Sequence, residues 1–378
     1  MPFDIRTFLD SIEGAQNTNP HFSHIDALAA SGDFATISAI IHGLLDQSER
    51  FDLWRFPAQS VFNAATATLA QSNNTDAIEA VLELFDLLSM SDLARRSLVY
   101  LRQWASMIGS TSSLSTIMPL LVSGKYDEMM LYVVHELLMY GHDCDLPEVY
   151  ELRQRQQPHI FARLPLQRLP AEMQSAQVLR KYSKRGSGHS SVSLPQHHET
   201  APANSSLPLP LNLTITTNDE QQSLLTAQVE PWFELFNGVY DLAVRMCEPP
   251  LQSNHVGTVL VERLNLQPLA NSTHHHAWKV DFARVWQAIF SAAATGGSYE
   301  HGWNGALGRW WTWRIIALLI GMNHDDPVHA IAEYAQRCAW FTIQTNSAWF
   351  NHDSVDLFFG VMRPDNQTFV VVAATDTD

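Results

Sequence analysis

The chain ends in "SVDLFFGVMRPDNQTFVVVAATDTD", Ser354–Asp378, and this stretch decides the fold class of the second half of the protein. Two runs rich in β-branched and aromatic residues flank the turn-forming residues Pro364, Asp365 and Asn366, which predicts a β-hairpin. The run "FVVVAA" has no polar residue at alternate positions, so both of its faces should be buried, as in an interior strand. The sequence therefore predicts a sheet covered on both faces.

The length of the hairpin loop predicts which residues face each other across the two strands. If Pro364–Gln367 forms a four-residue loop, Arg363 lies opposite Thr368. Counting back along antiparallel strands then places Asp356 opposite Thr375.

Acidic residues collect at the open end of this hairpin, because the same count places Asp353 opposite Asp378. Like charges this close repel one another, so arginine and solvent, or alternatively a hard cation such as Mg²⁺ or Ca²⁺, should offset them. We expect arginine to do so, with Arg309 paired to Asp356. The predicted polar cluster, functional or structural, comprises Arg309, Arg314, Asp353, Asp356, Asp376 and Asp378.

The stretch "GALGRWWTWRIIALLIG", Gly305–Gly321, is a predicted helix that is apolar on nearly all sides, which indicates burial at the centre of a domain. A charge in such a helix needs a partner, so Arg309 should meet a carboxylate. Trp310, Trp311 and Trp313 point to three sides of the helix. We favour the core for these rings, with an exposed aromatic contact patch as the alternative.

The first half of the chain is predicted to form a succession of helices. Segments such as "FATISAIIHGLLDQ" and "KYDEMMLYVVHELLMYG" carry apolar residues at i, i+3, i+4 and i+7, and short polar breaks separate them. Residues 1–156 are therefore predicted to form a helical array, either a bundle or an irregular solenoid. The whole protein is predicted to be mostly α.

Beyond the array, residues 157–207 are predicted to hold one helix, Ala171–Lys184, followed by a mobile linker rich in Ser, Pro and His. Residues 208–378 form a smaller predicted α+β domain that ends in the hairpin. Within it we predict a helix over Glu230–Cys247 and a strand over His255–Asn265.

The stretch "GMNHDDPVHAIAEY" raises the question of a metal site. Asp326 followed by Pro327 is a helix-start signal, in which the aspartate caps free N–H groups, and this interpretation is favoured. The alternative is a metal site formed by His324, Asp325 and His329.

Composition limits the possible functions. The net charge of −16 opposes nucleic-acid and acidic-membrane binding, and the longest apolar run is too short to span a bilayer. The start of the chain lacks the pattern of a secretory signal, and the three cysteines are far apart in sequence. We therefore expect a cytoplasmic protein with free thiols that binds neither nucleic acid nor membrane.

Catalytic signatures such as G-x-S-x-G and H-E-x-x-H do not occur, so we assign no catalytic residue and expect no cofactor. The favoured interpretation is a non-enzymatic protein-interaction module whose partner is another protein. The alternative is a metal-dependent hydrolase that uses His324, Asp325 and His329 or the C-terminal carboxylates.

The C-terminal region carries a resemblance in "GALGRWWTWRIIALLIG" and "WFNHDSVDLFFGVMRPDNQTFVVVAATDTD". An arginine-bearing Ala/Trp helix, a W-F segment, an R-P-D turn and an A-A-T-D-T-D ending resemble a family of bacterial proteins of unknown function. The resemblance covers Gly305–Asp378 and implies a bacterial origin, but no catalytic residues. By analogy with other helical-array proteins of this build, it is compatible with a regulatory or immunity-type partner protein.

Overall fold

The computed structural model describes residues 3–89, 94–183, 186–188, 211–216, 223, 239–252, 255–296, 302–350 and 356–375. The chain divides into two compact units. We call Met1–Ala162 with Arg180–Gly188 the helical unit, and Arg163–Leu179 with His189–Asp378 the mixed unit.

Successive helices build the helical unit. They are α1 (Ile5–Ile12), α2 (Asn19–Ala30), α3 (Phe34–Asp46), α4 (Ala58–Ala70), α5 (Thr75–Ser89), α6 (Ala94–Thr111), α7 (Leu114–Ser123), α8 (Asp127–Tyr140) and α9 (Pro147–Arg155). Aspartates cap the N-termini of two of them. Asp4 accepts hydrogen bonds from the backbone N–H groups of Arg6 and Thr7, and Asp33 accepts one from the backbone N–H of Thr36. α3 packs against α4, α5 against α6 and α6 against α8, so the predicted helical array is confirmed.

The helical unit also contains a short antiparallel pair of strands, β1 (Lys181–Ser183) and β2 (Gly186–Gly188). A 3₁₀ turn at Ile160–Arg163 follows α9, and two more, at Pro170–Glu172 and Ser175–Gln177, belong to the mixed unit.

Helices and strands alternate in the mixed unit. The strands are β3 (Asn212–Ile215), β4 (Val239–Glu248), β5 (His275–Lys279), β6 (Ala339–Thr345), β7 (Leu357–Met362) and β8 (Thr368–Thr375). The helices are α10 (Thr258–Arg263), α11 (Phe282–Thr295), α12 (Asn304–Ile320) and α13 (Val328–Arg337), with a 3₁₀ turn at Gln267–Leu269. The strands form one antiparallel sheet in the order β3-β4-β8-β7-β6-β5, which confirms the predicted α+β architecture.

The predicted hairpin and its register are confirmed. Met362 pairs with Phe369 and Leu357 pairs with Ala374 across β7 and β8. Next to the loop, the Arg363 N–H donates to the Thr368 carbonyl at 2.9 Å. β8 lies between β4 and β7, as an interior strand should, and nearly all its residues are buried.

Apolar side chains cover the sheet on both faces. On one face, Leu260 and Val261 of α10 pack in a cluster with Phe341, Phe369 and Val371. On the other face, the Trp340 ring lies 5.3 Å from the Phe282 ring of α11, and its Nε1 donates to the Ala335 carbonyl of α13 at 2.8 Å. α12 packs against both α11 and α13.

Three of the predicted elements are wrong. The helix predicted over Ala171–Lys184 is replaced by 3₁₀ turns and strand β1, and Arg163–Leu179 is part of the mixed unit. The last part of the segment predicted as a helix, Glu230–Cys247, forms strand β4, because pairing with β3 and β8 overrides local propensity. The strand predicted over His255–Asn265 is helix α10. The expected mobile linker lies almost wholly outside the described residues.

Candidate functional site

A fully buried ion pair lies inside the mixed unit. Arg309, in the first half of α12, donates from Nε to Glu172 Oε1 at 2.6 Å and from Nη2 to Oε2 at 2.8 Å, and both side chains are 0% exposed. The remaining donors also find acceptors, since Nη1 and Nη2 donate to the carbonyls of Pro165 and Gln167. The Nε, Nη1 and Nη2 nitrogens of Arg309 therefore all donate to carboxylate or carbonyl oxygens.

Glu172 is satisfied as fully as its partner. Its Oε2 also accepts from the Leu169 N–H and its Oε1 from Trp313 Nε1, each at 2.7 Å. A buried charge is tolerated in protein only with such pairing. The expectation that Arg309 meets a carboxylate is confirmed, but the network holds the 163–179 segment against α12 and offers no free group for chemistry.

The identity of that carboxylate corrects the predicted polar cluster. Arg309 contacts Glu172 rather than Asp356, which accepts a hydrogen bond from Thr375 Oγ1 at 2.6 Å, its predicted opposite residue. Arg314 lies beside Asp325 instead of the hairpin carboxylates. Asp353, Asp376 and Asp378 lie outside the described residues.

A cleft of about 220 Å³ opens beside α12, and we call it the Arg314 cleft. It is lined by Arg163, Leu164, Trp310, Trp313, Arg314, His324, Asp325, Asp326, Pro327, Val328 and Ile331. Trp310, Trp313 and Arg314 share one face of α12 because three- and four-residue spacings return to the same side of a helix. The loop before α13 and the first turns of α13 also contribute lining residues.

The loop that closes the cleft is shaped by a reversal at the end of α12. Gly321 has φ +81, in the left-handed region that glycine adopts easily, and the Met322 N–H returns to the Ala317 carbonyl at 2.9 Å. Asp326 then accepts from the Asn323 N–H at 3.1 Å. The predicted helix start is thus displaced: α13 begins after Pro327 without a side-chain cap, and Asp326 holds the preceding turn instead.

Arg314 is the unusual group in this cleft. Its side chain is only 19% exposed, and its Cζ lies 4.4 Å from the centre of the Trp310 ring. Its Nε is buried, and the side chain makes no hydrogen bond to any residue in the described ranges. Burial lowers the pKa of Arg314, and the neighbouring charge of Arg163 adds to this effect while Asp325 opposes it.

The other charged side chains of the cleft are more exposed to solvent. Arg163 Nη1 lies 2.8 Å from Asp325 Oδ1, but these side chains are 59% and 52% exposed, so solvent weakens the pair. Arg314 Nη1 and His324 Nε2 each lie 3.6 Å from an Asp325 oxygen. Asp325 therefore hydrogen-bonds Arg163 in an exposed pair and lies at a longer distance from Arg314 and His324.

The predicted metal set is only partly brought together. His324 and Asp325 line the cleft, whereas His329 is exposed and does not line it. Among the residues that the structure describes, no group of three or more His, Cys, Asp or Glu side chains could hold a metal ion.

The groups most able to act as nucleophiles are also placed unfavourably. Cys144, Cys247 and Cys338 are buried free thiols, as predicted. Burial raises the pKa of Cys247 to about 11 and that of Cys338 to about 12, so both stay protonated at neutral pH. None of the described residues that line the Arg314 cleft is a serine, threonine or cysteine. The described lining of the cleft therefore contains no hydroxyl or thiol nucleophile.

Sequence reasoning found part of this site and missed the rest. Arg314, His324 and Asp325 were predicted as candidates, and Trp310 was predicted to lie in the core, with an exposed contact patch as the alternative. Arg163 and Glu172 were missed, because no local pattern connects Glu172 to Arg309 across 137 residues of chain.

Comparison with known proteins gives a family and no function. No curated protein and no solved structure matches the chain. In the described part, no helix is long and apolar enough to cross a membrane. The model of a family described as "Family of unknown function (DUF6183)" matches residues 19–378, well beyond the Gly305–Asp378 region that carried the resemblance in the sequence. The chain therefore belongs to the DUF6183 family over nearly its whole length.

Proposed function

We propose that this protein is a non-enzymatic, cytoplasmic protein-interaction module, and that the Arg314 cleft is the place where the mixed unit holds its partner protein. The observation that carries the proposal is Arg314 itself, whose side chain is largely buried and makes no hydrogen bond to the described residues. Withdrawing a charged donor from water without supplying an acceptor costs free energy. A partner that supplies the acceptor removes this cost on binding.

The residue types around Arg314 suit a protein interface. Tryptophan and arginine are enriched among the residues that dominate binding energy, and Trp310 and Arg314 stack on each other here. The stack restricts both side chains before a partner arrives, so less conformational entropy is lost on binding. Leu164, Val328 and Ile331 also line the cleft, and these apolar side chains are themselves buried.

The test is affinity capture from the native host with matched variants. The tagged wild-type protein is compared with Arg314→Gln and Trp310→Ala, and quantitative mass spectrometry identifies the retained proteins. Arg337→Gln is the control, because Arg337 is an exposed arginine that stacks on Tyr334 and does not line the cleft. We expect the same proteins to disappear from both cleft variants and to remain with the control. A captured set that is identical in all four samples would reject the proposal.

A metal-dependent hydrolase is the second candidate, supported by the presence of His324 and Asp325 together in the cleft. Metal analysis of the purified protein separates the two functions. Stoichiometric bound metal that is lost in His324→Ala would replace the interaction proposal with the hydrolase.

A further inference from the structure

We infer that strand β3 is the contact surface for a second copy of this chain, and that the two copies pair β3 against β3 in antiparallel orientation to form one continuous sheet. None of the β3 residues lines the Arg314 cleft, so the inference goes beyond the proposed function and is tested independently of it.

β3 is an edge strand whose surface is open to solvent. Within the described residues it pairs with β4 alone. Asn212, Thr214 and Ile215 are exposed, and Ile215 is 69% exposed although it is a large apolar residue. An edge strand presents unpaired N–H and C=O groups, which makes it a template for another strand. The free side of β3 is therefore accessible to a binding partner.

The opposite edge of the same sheet is protected. At β5, the Ala277 N–H donates to Thr258 Oγ1 of α10 at 3.2 Å, and Lys279 at the end of the strand is exposed. Covering an edge with another element and placing lysine on it are common ways of preventing edge-to-edge pairing. In contrast, the sequence of β3 contains no charged residue and no proline. The chain thus protects one edge of its sheet and leaves the other able to pair.

The backbone of β3 alternates between its two sides. The Thr216 N–H, directly after the strand, donates to the Val244 carbonyl of β4 at 3.1 Å. Because successive residues of a strand direct their N–H and C=O groups to opposite sides, those of Leu213 and Ile215 point away from β4. These two residues flank Thr214. An antiparallel copy centred on Thr214 therefore pairs Leu213 with Ile215 of the second copy, and Ile215 with its Leu213.

The side chains of β3 suit a copy of the same strand. In this register Leu213 meets Ile215 of the second copy on one face, while Thr214 meets its counterpart on the other face. Apolar burial and a cross-strand threonine pair both stabilise such a contact. Since the strand carries no charge, the two-fold axis brings no like charges together within the strand pair. Antiparallel addition also continues the sheet, whose described strand pairs are all antiparallel.

The dimer is expected to be reversible, because a four-residue edge is short. A standard stable interface buries about 1,600 Å² in total, which is more than one short strand pair provides. The net charge of −16 on each copy adds a longer-range repulsion that salt screens. We therefore expect self-association that increases with protein concentration and is lost on dilution.

Cysteine cross-linking of the full-length protein tests the register. At the two-fold centre, Thr214 and its counterpart form a non-hydrogen-bonded pair with Cα atoms about 4.5 Å apart. A disulfide spans this distance, so Thr214→Cys should form a covalent dimer under mild oxidation. Asn212→Cys is the matched control on the same face of the strand, because this register separates the two Asn212 positions by about 14 Å. The native cysteines, Cys144, Cys247 and Cys338, are buried.

Sedimentation velocity over a concentration series, at moderate salt, measures the dimer without cross-linking. Ile215→Lys places a charge on the edge and Ile215→Pro removes an outward N–H, so each should weaken self-association by about tenfold or more. The two-fold axis doubles each loss. Val122→Lys is the control and should have no effect, because Val122 is 65% exposed on α7 of the helical unit. Circular dichroism establishes that each variant is folded.

Self-association that depends on Ile215, with much more cross-linking at Thr214 than at Asn212, is the expected result. A wild-type protein that stays monomeric at every concentration, equal cross-linking at the two positions, or a dimer that Ile215→Lys leaves intact would each overturn the inference. If the wild type is monomeric but a captured foreign protein is lost in Ile215→Lys, the edge binds a foreign strand and the second copy is the wrong occupant. The proposed function is judged separately, by the proteins that Arg314→Gln and Trp310→Ala fail to capture.

Discussion

Arg309 and Glu172 form a two-point ion pair that is completely withdrawn from solvent, with Nε–Oε1 and Nη2–Oε2 distances of 2.6 and 2.8 Å. The pair joins α12 to a segment that lies 137 residues earlier in the chain. Desolvation offsets most of the attraction in a buried pair, so the pair need not stabilise the fold more than apolar residues would. Removing one partner is different, because it leaves the other charge buried and unpaired.

We therefore predict that Arg309→Met and Glu172→Gln each lower the free energy of unfolding by roughly 3–5 kcal/mol. The double variant should cost far less than the sum, because both charges are then gone. Urea denaturation of the four proteins in a double-mutant cycle measures the coupling. The cycle of Arg309→Met with Asp356→Ala is the control and should be additive within about 0.5 kcal/mol. Additive effects for Arg309 and Glu172 would contradict the pairing.

Arg314 should behave in the opposite way. It makes no hydrogen bond within the described ranges and its nearest carboxylate oxygen is 3.6 Å away, so removing its charge leaves no buried partner behind. We predict that Arg314→Met changes the free energy of unfolding by less than about 1 kcal/mol in either direction. The comparison with Arg309→Met by the same urea denaturation is direct, because the substitution and the helix are identical. A loss as large as that of Arg309→Met would show that Arg314 is structural.

The contrast between these arginines shows how far the sequence could predict the site. A charge inside an apolar helix needs a partner, and that argument correctly predicted a carboxylate for Arg309. It could not identify Glu172, which lies in a segment whose 3₁₀ turns resemble no regular pattern. Arg309 was assigned to Asp356 by residue type alone, whereas Asp356 accepts a hydrogen bond from Thr375, its predicted opposite residue.

The fold was predictable where the signal was local. The hairpin register follows from turn residues and a continuous apolar run, both of which lie within one short stretch, and it matches the pairing of Met362 with Phe369. The segment of β4 was mispredicted because "DLAVRMCE" contains good helix formers. Its strand conformation comes from pairing with β3 and β8. A pattern within the β4 segment alone cannot reveal that these two strands lie beside it.

The tryptophans of α12 divide between the two interpretations that the sequence left open. Trp313 is buried and donates to Glu172, as a core indole should. Trp310 and Trp311 are half-buried, and their ring centres lie 4.6 Å apart. Helical periodicity alone could not separate these positions, because α12 has apolar residues on nearly every side.

Gly360 in β7 is needed because the ring of Phe341 in β6 covers it. A Cβ built at Gly360 would overlap this ring, which also packs on Phe369 with ring centres 4.7 Å apart. We predict that Gly360→Ala destabilises the protein by about 1–3 kcal/mol through overpacking. Thermal unfolding followed by circular dichroism measures the loss.

The matched control for this substitution is Gly257→Ala, since nothing lies within 4 Å of a Cβ at Gly257 and its backbone is extended. Its effect should stay within about 0.5 kcal/mol. Phe341→Leu should relieve the clash, so the cost of Gly360→Ala should be smaller in that background. An equal cost in both backgrounds would mean that the Phe341 ring is not the obstacle.

The last prediction concerns acid and the helical unit. Burial lowers the pKa of His21 below its ordinary value of 6.5, and the neighbouring His24 adds to this shift while a hydrogen bond to the Ser11 backbone opposes it. Burial likewise lowers the pKa of His159, which Glu128 opposes. The unfolded chain then binds protons at a higher pH than the folded chain, so stability decreases as the pH falls below about 6.5. Above that value both states are neutral at these rings and the effect disappears.

The expected result is a lower melting temperature at pH 5.5 than at pH 7.5 for the wild-type protein, with a smaller difference in His21→Asn. His21→Asn with His159→Asn should reduce the difference further, because neither position can then take up a proton. Hydrogen exchange of peptides from α2 and α9 at both pH values assigns the change to the helical unit. A pH dependence in the double variant as steep as that of the wild type would mean that other groups cause the acid sensitivity.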